Sequence, residues 1–240
     1  MAGRVSSLKA AEWFLEKQFP ECNAAILAGS AAKGIETSDS DLDLVILDDS
    51  RSYPFRKTYT AHGWVIEAFV VTRDSFPMFI EAAAESGLPS ILRMCIEGAV
   101  LRDDGSAEEL IGLARDALQA GPYEWTAQQL SDARYDITNG LLDLQSSRDR
   151  AERLFIAGKL IGSVHEFVLR ANRQWIGDGK WALRMLRRFD EELSNSLVAA
   201  LEQLYCNDEH EPVIQLLHEV LRPYGGLLTE GYSEGCWEEE

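Results

Sequence analysis

The chain has 240 residues, 46% hydrophobic and 26% charged, enough for one large domain or two small ones and ordinary in composition for a globular protein. Forty acidic against 23 basic side chains leave a net charge of −17 at pH 7, which argues against a nucleic-acid coat, because such proteins displace counterions with positive faces. The same charge suits a small cationic or neutral substrate, or a nucleotide held through metal ions.

No apolar stretch approaches the ~20 residues of a membrane span. The first segment, interrupted by Glu12 and Glu16, lacks the continuous apolar run of a signal peptide. Cys22, Cys95, Cys206 and Cys236 are scattered with no CxxC pair, so neither zinc nor a disulfide framework is expected, and the cytoplasm is the expected compartment.

In chain order, Ser6 or Ser7 caps a first helix with Leu8, Ala11, Phe14 and Leu15 on one face. Residues 24–28 are short and apolar, a buried strand closed by Gly29. Residues 42–47 turn fully apolar, as a central strand does. Residues 55–61 and 64–71 read as a hairpin around His62-Gly63. Helical patterns follow over 76–85 and 89–97, then a short edge strand over 99–101, then a helix capped by Ser106 and running to Ala120.

Gly121-Pro122 is the predicted boundary. Beyond it, residues 126–222 read as four or five helices broken near Arg148, Gly177-Asp178-Gly179, Asp190 and Asn207-Asp208. The expected class is α+β: a mixed-sheet domain over residues 1–121, followed by an all-α helical bundle over residues 122–240. The acidic tail over 234–240 is expected to fray.

The most informative segment runs from Leu27 to Val45. A missing side chain at Gly29, after a buried strand, lets backbone approach a ligand. A helix starting there would aim free N–H groups at a phosphate. Asp41 and Asp43 alternate along a strand, so both carboxylates leave one face, about 7 Å apart. Like charges so placed repel unless a cation lies between them, and magnesium with phosphate oxygens is the usual answer. Glu67 sits amid the apolar strand 64–71 and would be costly buried unpaired. Beside the Asp41/Asp43 strand it completes a three-carboxylate cluster.

Gly29-Ser30, Lys33-Gly34, Ser40-Asp41-Leu42-Asp43 and a later acid on an apolar strand resemble the nucleotidyltransferase superfamily of DNA polymerase beta. Within it the pattern is similar to the small bacterial antibiotic-type and minimal nucleotidyltransferases. The resemblance covers residues 27–71, and the helical second half matches in kind only. It implies that Asp41 and Asp43 bind two magnesium ions and Glu67 the catalytic one. Gly29, Ser30 and Ser40 would contact the triphosphate, with Lys33 near it. The implied reaction is attack of a hydroxyl on the α-phosphorus of a nucleoside triphosphate such as ATP, releasing pyrophosphate. The expected acceptor is a small molecule. Two other readings stay open: transfer of AMP to a protein side chain, and a nucleotide-sensing module without turnover. Membrane and nucleic-acid partners are not expected, and a homodimer is left open.

Residues 147–188 carry ten basic against four acidic side chains, a positive island in an acidic protein. Over a helix from Arg153 to Arg173, Lys159, Ser163, Glu166, Arg170 and Arg173 recur on one side. Two readings of this polar stripe outside the core stay open: a solvated face, or a cleft wall with Lys159 and Arg170 on the triphosphate and Glu166 on the acceptor as general base, with Asp132, Asp136 and Asp143 as its rivals. Trp175 and Trp181, beside glycines, are expected to pack a helix connection, and the four histidines form no ligand set.

Overall fold

A computed structural model describes residues 4–235, and the expectation for the tail lies largely outside them. The chain divides into two compact units, Met1–Gly121 and Pro122–Glu240. The whole is α+β, a mixed five-stranded sheet with many helices.

In the first unit, the strands are β1 (Ala24–Ala28), β2 (Leu42–Leu47), β3 (Phe55–Ala61), β4 (Trp64–Val71) and β5 (Ala99–Asp103). Their order in the sheet is β3-β4-β2-β1-β5. Only β2 and β4 run parallel; the other pairs are antiparallel. The apolar runs of β1 and β2 fit their interior places, where they are buried almost throughout; β4 is the third interior strand. Both His62 and Gly63 adopt positive φ (53° and 81°), the backbone that a two-residue hairpin turn needs.

Helix α1 (Ser7–Gln18) places Ala10, Ala11, Phe14 and Leu15 against one face of the sheet, where Leu42, Leu44, Ile66 and Ala68 meet them. After β1 comes a single turn, α2 (Gly29–Ala32). Helices α3 (Phe76–Ser86), α4 (Ser90–Glu97) and α5 (Ala107–Ala120) follow, with α4 packed on β1 and β2.

Ser6 and Ser106 hold the expected cap positions, but neither side chain makes the cap bond. Beside Ser6, Ser7 Oγ donates to Glu36 Oε1 at 2.8 Å. At α5 the Ala107 N–H goes to Asp103 Oδ1 (2.9 Å), and Ser106 Oγ is taken up by Asp104. A carboxylate is the stronger acceptor for an orphan helix N–H.

Asp48, the residue just after β2, is only 1% exposed. It accepts from Ser50 N (3.1 Å), Ser50 Oγ (2.5 Å) and Arg51 Nε (2.8 Å). Burial raises its pKa, but the bonds from Ser50 and Arg51 outweigh that and hold it below the ordinary carboxylate value. A lowered folded pKa stabilises above the unfolded pKa of about 4 and is lost as pH falls through the folded one. Asp48→Asn is therefore expected to cost about 1.5–3 kcal/mol at pH 7. The difference from wild type should shrink below about pH 4; urea unfolding at pH 7 and at pH 3.5 measures both.

In the second unit, the helices are α6 (Ala127–Ser146), α7 (Arg150–Ala171), α8 (Lys180–Phe189), α9 (Glu191–Asn207) and α10 (Glu211–Leu221), ending in a 3-10 turn, Arg222–Tyr224. Thr126 and Gln129 form a reciprocal cap at α6. Asp149 caps α7 and Asp190 caps α9. The core gathers Ile137, Leu141, Leu160, Phe167, Leu204 and Leu217. Arg153 is buried and grips Asp208 through Nε (3.0 Å) and Nη2, joining the start of α7 to the end of α9. Among the described residues no helix is long and apolar enough to cross a membrane.

Candidate active site

The site begins where β1 ends. Ala28 pairs with Asp43 across the antiparallel β1–β2 ladder, and Gly29 follows with φ +70°. A Cβ at Gly29 would stand 2.5 Å from Asp43 Oδ2. The glycine thus serves two purposes: it takes the left-handed backbone, and it leaves room for the carboxylate against the turn.

Asp43 and Glu67 are direct partners on the parallel strands β2 and β4. Asp41 lies just before β2 and not within it, a correction to the expected strand alternation. One carboxylate oxygen from each of Asp41, Asp43 and Glu67 lies within 4.8 Å of the other two, with Asp41 exposed and the others half-buried. Three hard oxygen donors so close together fit a magnesium-like or manganese-like cation, and lack the thiolate or imidazole that zinc prefers.

Two arginines missed in the sequence complete the surroundings. Arg56 on β3 donates through Nη2 to Glu67 Oε2 at 2.5 Å, and its guanidinium lies 4.8 Å from the Phe69 ring centre. The signal was in the hairpin: Thr58 faces Glu67, so Arg56, two residues along, shares that face. Arg4 donates to the carbonyls of Thr37 (3.2 Å), Ser38 and Ser40, and its guanidinium covers the Trp64 ring. It pins the loop that delivers Ser40 and Asp41. Nothing in the spacing of Arg4 pointed there.

Ser30 Oγ donates to Ser40 Oγ at 3.2 Å, and Ser40 Oγ also accepts from Thr37 N at 2.9 Å. Gly29, Ser30 and Ser40 are thus brought to one corner. Lys33 donates to Glu97 Oε2 of α4 at 2.6 Å. Burial raises the Glu97 pKa, but Lys33 and Arg93 outweigh it and hold the carboxyl below its usual range.

In the second unit the expected polar stripe holds only in part. Lys159 is paired with Asp136, which also accepts from Ser163 Oγ at 2.9 Å. Glu166 is exposed and lines a cavity of about 240 Å³ with Trp125, Asp132, Asp136 and Ser163. Asp132 accepts from Tyr232 Oη at 3.0 Å.

Arg170 corrects the expectation: it is 2% exposed, with its guanidinium 5.6 Å from the Trp125 ring centre and a bond to Tyr123 O at 3.2 Å. The segment before α6 covers that end of the helix face. Arg173 falls beyond α7, at φ +52°. Arg170→Ala is therefore expected to act on folding, lowering stability by about 1–3 kcal/mol through lost packing. Thermal unfolding of the variant checks it.

Trp175 is buried, and Trp181 carries Arg184 over its ring at 4.8 Å. His165 is buried and accepts from Gly177 N at 3.3 Å; burial lowers its pKa.

No family model and no curated protein sequence matches the chain. Among solved structures, the chain is similar to a nucleotidyltransferase-like protein from Exiguobacterium sibiricum 255-15. The identity is 12% and the TM-score 0.48, over 90% of this chain and 74% of that one. At that distance, the site stands on its own geometry.

Proposed function

We propose that the chain is a magnesium-dependent nucleotidyltransferase, moving AMP from ATP to a hydroxyl of a small-molecule acceptor and releasing pyrophosphate. The observation that carries this reading is the meeting of Asp41, Asp43 and Glu67 within 4.8 Å. The placement of Asp43 against the Gly29 turn supports it.

Asp41 and Asp43 would hold both of two ions, and Glu67 the ion beside the acceptor. Such ions, when bound, offset charge on the phosphates and favour the deprotonated hydroxyl. The chain's own groups orient the substrate. The Gly29 turn gives a phosphate close approach to backbone, and the Ser30 and Ser40 hydroxyls are donors in the same corner. Arg4 fixes the loop that presents Asp41. The bond formed joins the acceptor oxygen to the α-phosphorus, and the bond broken frees pyrophosphate. We place the reaction in the cytosol, where nucleoside triphosphates are made; Cys22, Cys95 and Cys206 are free thiols.

The test is incubation of the protein with magnesium, each of the four α-labelled ribonucleoside triphosphates in turn, and a small-molecule extract. Expected are a labelled small product, strongest with ATP, and free pyrophosphate. Label on protein would move the acceptor to a side chain. Binding without turnover would overturn the enzyme reading.

A further inference from the structure

We infer that Arg56 is a built-in counter-cation of the carboxylate cluster, which competes with a divalent ion for Glu67. It thereby sets the affinity of the cluster and the order in which it fills. The inference rests on the metal-binding reading above.

Register carries the first step. Thr58 on the edge strand β3 faces Glu67, and Arg56 lies two residues along on the same face. Its Nη2 reaches Glu67 Oε2 at 2.5 Å while its plane rests by Phe69, itself two residues from Glu67. The seat is therefore built from both strands. Charge carries the second. Three carboxylates within 4.8 Å repel one another, and a guanidinium on one of them relieves the repulsion only in part. The remaining negative charge still attracts a divalent ion, which competes with Arg56 for Glu67.

Exposure carries the third. The Arg56 side chain is 61% exposed and that of Glu67 21%. The arginine end of the pair stands in solvent, which weakens the pair, so the guanidinium can swing into water at small cost. Asp41 and Asp43 would therefore hold an ion first, with Glu67 still paired to Arg56, and an ion that also used Glu67 would compete with that pair. Arg56 is a positioning residue in this account, acting through Glu67.

The experiment titrates the protein with Mn²⁺ alone, reading the free ion by electron paramagnetic resonance, so no nucleotide or turnover is involved. Arg56→Met removes the charge and keeps an apolar stem against Phe69. It should bind Mn²⁺ about three- to tenfold more tightly than wild type. Arg56→Lys, which keeps a cation in reach, should return the affinity toward wild type. Equal thermal unfolding of the three proteins would show that the fold is intact. If Asp43→Asn weakens Mn²⁺ binding but Arg56→Met leaves it unchanged or weaker, the role of Arg56 is overturned and the metal site stands. If Asp43→Asn binds Mn²⁺ as wild type does, the metal site itself is overturned, and this inference with it.

Discussion

Asp43→Asn is expected to leave the fold in place and to lower nucleotidyl transfer by at least about a hundredfold, the usual scale when one fixed electrostatic stabiliser of a transition state is lost. Asp43 is the middle of the cluster: it pairs in register with Glu67, follows Asp41 by two residues and lies against the Gly29 turn. An amide has nearly the same shape, so the β-ladder and the turn can persist. It carries no charge, so a cation sharing the three groups loses its central anchor. Stability should hold or rise, because removing one of three clustered negative charges removes repulsion. Turnover of labelled ATP in the presence of an acceptor extract measures the first effect, and urea unfolding the second. Near-wild-type turnover in a folded Asp43→Asn protein would show that the chemistry is elsewhere.

Much of the first unit was legible because its signals are local. The apolar runs at 24–28 and 42–47 read as interior strands, and His62-Gly63 marked a turn through backbone that few other pairs adopt. The acid cluster was half legible. Asp41 and Asp43 are near neighbours in the chain, and an isolated charge at Glu67 is conspicuous in an apolar strand. Their alignment is another matter. It depends on parallel pairing of β2 with β4, which β3 separates in the chain but not in the sheet, and no local pattern sets that register.

The arginines show the same limit. Arg56 matters because β3 folds back on β4, and Arg4 because the chain start returns to residues 37–40. Helical periodicity correctly put Lys159, Ser163, Glu166 and Arg170 on one face of α7. Periodicity does not tell what covers a face, and the Tyr123–Trp125 segment covers the end at Arg170. A polar stripe thus runs from solvent to interior along one helix, and a role assigned to the stripe as a whole fails at its buried end.

The second large effect is expected from a single methyl group. Gly29→Ala adds a Cβ that would stand 2.5 Å from Asp43 Oδ2, closer than such contacts allow, at a backbone φ of +70° that an L-residue adopts only with strain. The strain is worth about 1–2 kcal/mol, which the first unit should survive. The contact is relieved when the Asp43 carboxylate moves away, because β1 and β2 are locked by their ladder and the side chain is the softer partner. A reacting group displaced by about 1 Å costs on the order of 10²-fold in rate. Gly29→Ala should therefore fold, lose stability modestly and approach Asp43→Asn in activity, with all three carboxylates still present. Mn²⁺ affinity should fall as well, because the donor atoms no longer converge. Loss of stability with turnover and Mn²⁺ binding both intact would show that Asp43 is not held by the turn, and that the close approach at Gly29 serves the backbone alone.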